Sequence, residues 1–405
     1  MATWALTANL NPYISSSEDV INPGLSGVEK ASKTEQTLND HGNVTERKQY
    51  GYYTPGASAP LARTFTYSYL GSTAYTSRHI WNRLLSVTMQ KPGGSLITLV
   101  TNLYDIYPFS SAPQVAFPAL LRQHDTAAYG TAMIYRGNVS TVTSPGKVLN
   151  LTYDYTGNLL ATADGYGHSA SRVMDWNRNY AVPKTVTGGS LQTALSWNSY
   201  NAPLSATGPN GDVSLTSYDG YARPASRTAA NGSVTTFTYS ATAPHWTLAV
   251  TGTRWTKSWV DGLGRVIKTE AGYNPGGAPV TVSIAESKYA PCACTPVGKL
   301  WKTSLPYAPG GTPIWTEHLY DALGRPLQVK QPNNSGTTTY SYSGIVVTVT
   351  DPAGKWKSYE NDALGNLVKV TEPRPGGGAA YESLYTYSEL GQLLTVSMTR
   401  PGMGV

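Results

Sequence analysis

The sequence predicts an all-β protein, a repeat array of antiparallel β-hairpins forming a curved or spiral sheet. Three observations carry that prediction. The composition suits pleated surfaces joined by turns, with 29 Tyr against 4 Phe, and 40 Gly and 27 Pro in 405 residues. A short frame of aromatic, Asp, two variable residues, Gly and Arg or Asn returns along the chain. No stretch follows a convincing 3.6-residue period, so little helix is expected. The hydrophobic share of 40% suffices for a buried core, while the charged share of 13% is about half of the usual ~25%.

From the N-terminus, residues 1–150 form a region of degenerate repeats. Asn39 to Val44 and Tyr135 to Val139 look like worn copies of the frame. Tyr67 to Tyr69 and the apolar Leu96 to Val100 are expected strands between longer loops. Met1 to Leu10 carries neither a basic segment nor a continuous apolar run, so no signal peptide is visible. Nowhere does an apolar run approach the roughly 18 residues of a membrane helix.

Residues 151–405 hold the array proper. The frame stands at Tyr153, Asp154 and Gly157, and again at Tyr218 and Asp219. It follows at Asp261, Gly264 and Arg265, and most completely at Tyr320, Asp321, Gly324 and Arg325. Asp362 and Gly365 continue it, and Tyr387 to Leu393 is a last copy. Trp176-Asn177 and Trp197-Asn198 are degenerate versions, each with a Pro six or seven positions on. A second punctuation, as in Pro209-Asn210-Gly211, Ala230-Asn231-Gly232 and Asp351-Pro352-Ala353-Gly354, marks turns between copies. Each unit therefore reads as strand, turn, strand, turn. Leu327 to Lys330 alternates apolar with polar, and Tyr340 and Tyr342 fall on one face. A single hairpin is marginal, so neighbouring units must stabilise one another.

This frame resembles the YD repeats of RHS proteins, a family that includes teneurins and shell components of bacterial toxin complexes. The resemblance is strong over Leu151 to Met398 and weak before it. It implies a long sheet spiralling into a hollow shell, non-enzymatic, which encloses or presents an associated domain. It also implies a secreted or cell-surface location, with further RHS repeats or an enclosed polymorphic domain as partners. There are two departures. The family's core-associated segment with its Asp-Pro-x-Gly motif and cleavage site has no counterpart, since Asp351 to Gly354 sits at a repeat turn. The chain also stops at Val405 just after a repeat, which reads as an incomplete shell or a fragment.

Chemistry offers weaker alternatives. The aspartates at 154, 219, 261, 321 and 362 could pair as acid and base for glycoside hydrolysis. A group present once per repeat needs a once-per-repeat explanation, however, and an Asp can accept hydrogen bonds from the turn amides that follow it. Gly at the fourth position after the aromatic supplies a positive φ. Arg223, Arg265 and Arg325 can bridge to acids or stack on a neighbouring Tyr. The motif residues are thus expected to be structural, and no catalytic, cofactor or metal residue is expected. The six His lack metal-ligand spacing, and no G-x-S-x-G or H-E-x-x-H motif occurs. Cys292 and Cys294 point the same way in an extended chain; a disulfide between them would be strained, and two ligands make no zinc site. They read as ordinary thiols. A net charge of +6 without a Lys/Arg stripe argues against nucleic acid. Exposed Tyr and Trp on a sheet could stack on sugars, which makes a carbohydrate-binding adhesion module the alternative function. A β-propeller with blades of about 42 residues is the alternative fold.

Overall fold

A computed structural model describes residues 1–22, 27–106, 121–292 and 295–399. Cys294 lies outside the described residues, as does the Cys292 side chain. Among the described residues are thirty strands, two four-residue helices (Thr73–Thr76 and Thr126–Tyr129) and two three-residue 3-10 turns. The chain is all-β, as the alternation and turn signals predict.

Two compact units make up the molecule: Met1–Val20 with Lys30–Ser214, and Ile21–Glu29 with Leu215–Val405. In the first, Ala2–Leu6 pairs with Pro12–Ile21, and each strand from Lys30–Leu38 to Pro203–Thr207 pairs antiparallel with the next. In the second, the same serial pairing runs from Val213–Tyr218 to Leu393–Thr399. Propeller blades would break this succession into separate four-stranded sheets, so the propeller alternative is not supported. Most turns are short and return the chain beside the strand just laid down, which favours serial pairing.

Every frame turn is accompanied by a bulge. Leu319 faces Gln328 and Ser217 faces Ser226, but Tyr320 then faces Pro326 and Tyr218 faces Pro224. Leu327 and Ala225 are the extra residues. The shift rotates the end of the hairpin and redirects the aromatic side chain. The serines and threonines fill the polar rows, with hydroxyl pairs across strands such as Ser217–Ser226 at 2.7 Å and Thr386–Thr395 at 2.6 Å.

Burial differs between the units. The first unit packs Leu121, Tyr155 and Tyr180 into a cluster with Met174 against it, and buries Met89, Tyr75 and Tyr53 elsewhere. In the second, Trp255 and Val370 are the buried hydrophobic residues among those described. Its sheet is held by strand pairing and same-face contacts more than by a closed core.

Candidate functional site

The recurring turn is an arrangement of polar and charged side chains that repeats along the described residues. It is built from local sequence. At Asp321, oxygen Oδ1 accepts the backbone N–H groups of Leu323 (2.9 Å) and Arg325 (2.8 Å). The Asp321 N–H donates to the Arg325 carbonyl, and the Gly324 N–H donates back to the Asp321 carbonyl, each at 2.9 Å. Closing the loop this tightly requires a positive φ at Gly324, which is +79°. The guanidinium of Arg325 then donates from Nε to Asp321 Oδ2 at 2.6 Å.

The same bonds form at Asp219 with Arg223 and at Asp261 with Arg265. At Asp154 and Asp362 an asparagine replaces the arginine: Asn158 and Asn366 donate through Nδ2 to the carboxylate at 2.9 Å. Asp154 is fully buried, and it also accepts the Thr156 hydroxyl. Asp164 and Asp351 close turns of the same pattern, although the frame's aromatic does not precede them. Asn39 and Asn198 fill the acceptor's place with an amide oxygen, and each takes two backbone N–H groups. A position that works with a neutral amide does not depend on a titratable carboxylate.

Beyond the turn, the arginine reaches a later strand. Arg223 lies 4.3 Å from the ring centre of Tyr239, Arg265 4.1 Å from Tyr289, and Arg325 4.1 Å from Tyr342. Both options open to these arginines, the acid bridge and the aromatic stack, are realised together. The same tyrosines close the arrangement, since Tyr239 and Tyr342 donate their hydroxyls to the Pro224 and Pro326 carbonyls at 2.8 Å. Tyr387 does likewise to Leu367 at 2.8 Å, and Trp197 donates its indole N–H to Pro183 at 2.7 Å. Sequence reasoning missed these hydroxyl anchors. Their signal was present, an aromatic 15 to 20 positions after the first residue of a strand that follows a frame turn, but it becomes legible only once the register is known.

The electrostatics follow from this geometry. The Arg265 guanidinium, aided by the Arg265 and Leu263 amides, holds the Asp261 carboxyl below the usual carboxylate value. At Asp219 and Asp321 burial opposes ionisation, yet the amide and guanidinium of the partner arginine outweigh it and the carboxyl is again lowered. Burial raises the Tyr153 and Tyr320 phenols. Carboxyls held ionised in this way are poorly suited to donate a proton near neutral pH. Among the described residues no three His, Cys, Asp or Glu side chains converge to hold a metal ion. No helix of the described residues is long and apolar enough to cross a membrane.

Serial hairpins, with a recurring turn closed by an acceptor side chain and in several copies tied to a later strand by an aromatic, define a β-hairpin repeat protein. Residues 320–355, which contain the most complete turn, match the family model described as RHS Repeat, and the chain carries that repeat. A search of curated proteins finds no match. Among solved structures, the fold is similar to the crystal structure of TcdB2-TccC3, at 10% identity and a TM-score of 0.55 over 95% of this chain. It is equally similar to TcdB2-TccC3 without its hypervariable C-terminal region, at 9% identity and a TM-score of 0.57 over 96%. The chain spans 27% and 29% of those two chains.

Proposed function

We propose that the chain is a non-enzymatic segment of an RHS-type β-shell, a wall that encloses or presents an associated domain in toxin delivery or cell-surface contact. The observation that carries this reading is the thinness of the second unit. Sixteen strands pair in series there, yet the described residues include only Trp255 and Val370 as buried hydrophobics. An enzyme of this size would ordinarily surround its reacting groups with a packed core and a concave pocket. A sheet whose strand residues are mostly half-buried, with few buried outright, suits a wall. In this reading the repeated motif residues are structural: Tyr153, Tyr218 and Tyr320 end strands, the aspartates close turns, the glycines permit them and the arginines tie them to later strands. Working partners would be further RHS repeats or the enclosed domain, in a secreted or surface-exposed setting.

A wall segment should present strand edges that other repeats can extend. The strand Leu393–Thr399 is paired with Tyr381–Tyr387 on one side, has no second partner among the described residues and is exposed at all seven positions. Such an edge invites pairing with another chain. Sedimentation velocity over a wide concentration range is expected to reveal reversible self-association, with amide exchange along Leu393–Thr399 slowing as the chains associate. A strictly monomeric chain at every concentration, with that strand already protected from exchange, would overturn the proposal.

A further inference from the structure

We infer that the turn edge formed by Tyr155, Asn179 and Tyr180 in the first unit is a docking site for a polypeptide segment with an aliphatic side chain, filled in this chain by Leu121–Arg122 of an inserted module. The insertion is recognised by the hydrogen bonds of the frame itself. Asp105 follows Tyr104, as the frame requires, and its carboxylate accepts the N–H groups of Arg136 (2.9 Å), Gly137 (2.7 Å) and Asn138 (3.1 Å). The Asp105 N–H donates to the Asn138 carbonyl at 2.9 Å, as the Asp154 N–H does to Asn158 in an unbroken turn. Gly137 has the positive φ, +73°, and Tyr104 faces Val139 after the same kind of bulge. Thirty residues, 106–135, therefore stand where a frame turn has one. Asp105 and Arg136 to Asn138 close the hairpin between them, and Tyr135 to Val139 reads as a worn copy because its acid lies on the far side of the insertion.

Insertions of this length in a compact array usually serve function more than fold. The described end of this one folds on itself: Asp125 accepts the Ala128 N–H at 3.0 Å, and the Arg136 guanidinium donates to the Gly130 and Met133 carbonyls at 2.8 and 3.0 Å. Ahead of it, Leu121 joins Tyr155 and Tyr180 in a cluster against which Met174 packs. Turn tips elsewhere are exposed, as at Tyr200 and Tyr221, whereas Tyr155 and Tyr180 are buried. The Asn179 side chain meets both main-chain groups of the next residue. Its Oδ1 accepts the Arg122 N–H at 2.8 Å, and its Nδ2 donates to the Arg122 carbonyl at 3.3 Å. The two turns of the docking site are also tied to each other without the occupant, since Asn158 donates to the Tyr180 carbonyl at 3.1 Å. These contacts select the ligand class. Two phenol rings and a thioether seat a branched aliphatic group. A carboxamide that serves as acceptor and donor to one residue reads main chain and carries no charge. The Arg122 side chain is exposed, so its charge is not what the site reads, but a proline there would lack the N–H.

The inference does not rest on the wall reading, and either can fail alone. Native-state hydrogen exchange of the full chain under rising urea tests whether the segment undocks by itself. The Arg122 amide should exchange about tenfold faster, or more, than the paired amides of Lys147–Tyr153 and Leu159–Asp164, through an opening that exposes little surface. Asn179→Gly accepts the left-handed φ of 51° and removes the carboxamide. It should speed Arg122 exchange by about tenfold and leave the strand amides unchanged. An acetylated peptide of residues 121–126 supplies the test in trans. It should bind the Leu121→Ser chain saturably and about tenfold or more tighter than the wild type, whose own segment competes at high effective concentration. The Arg122→Pro form of the peptide should not bind. Opening of Arg122 only together with the strands overturns the inference. So does a peptide that binds neither chain or binds both alike, and so does loss of the sheet in Leu121→Ser by circular dichroism, because the array is held to be independent of the segment.

Discussion

Asp321 serves two backbone amides and one guanidinium, and what it contributes can be separated by substitution. Asp321→Ala strands the Leu323 and Arg325 amides, at a cost on the order of 1 kcal/mol for each lost bond. Asp321→Asn keeps the amide acceptor, as Asn198 does naturally, and should cost less. Thermal unfolding of the two variants checks this; an equal or lower midpoint for Asn would mean that the charge matters more than the acceptor. Protonation tests the charge directly. Because the folded Asp261 carboxyl is lowered chiefly by Arg265, its stabilisation is fully present above the unfolded value of about 3.9 and is lost as pH falls through the lower folded value. Arg265→Gln should therefore flatten the pH dependence of unfolding in that acid window and leave it unchanged near neutrality. Gly272 is constrained differently, since a methyl group there would lie 2.6 Å from the Trp255 ring and 2.0 Å from the Val280 carbonyl oxygen. Gly272→Ala should cost about 1–3 kcal/mol or more through overpacking, measurable by urea denaturation.

At the scale of the hairpin, stability comes from ties between neighbours. One two-stranded element is marginal in water. At the frame turns that carry an arginine, its stack on a tyrosine connects the turn to a later strand, so formation of one hairpin favours the next. Arg325 is partly exposed, which limits its ion pair with Asp321 to a small contribution. Its stack on Tyr342 is worth about 0.5–1 kcal/mol at such a site. A double-mutant cycle of Arg325→Ala with Tyr342→Ala should return a coupling of about that size. Zero coupling would mean that the two side chains are adjacent without being energetically linked. Tyr342→Phe isolates the other half of the tie, the hydroxyl donated to Pro326. Its cost is expected at about 0.5–1.5 kcal/mol in the unfolding midpoint, comparable to other neutral hydrogen bonds.

For the whole chain, serial pairing within each unit makes nearest-neighbour contacts the main source of cohesion. Cooperativity should weaken as the array lengthens. Scanning calorimetry is expected to give a van't Hoff enthalpy well below the calorimetric one, in contrast to a small two-state domain. Agreement of the two enthalpies would mean that both units unfold as one block.

Much of this was legible in the sequence because the responsible forces are local. The alternation at Leu327 to Lys330, the Asp-x-x-Gly spacing and the positive φ at Gly324 all act within about five residues, so composition and spacing alone determined hairpins, turns and fold class. The aspartates' amide bonds belong to the same short range. Tertiary structure decided what lies across strands. Arg325 and Tyr342 stand 17 positions apart, and Arg265 and Tyr289 stand 24 apart, so their stacking depends on the bulges and on the length of the intervening strands. The ion pair of Lys357 with Glu372, on adjoining strands, likewise forms through register, and nothing in the spacing of the two residues announces it. The physical reason is the two-residue period of a strand: a shift of one position sends a side chain to the opposite face, and only the completed pairing decides which chemistry shares a surface.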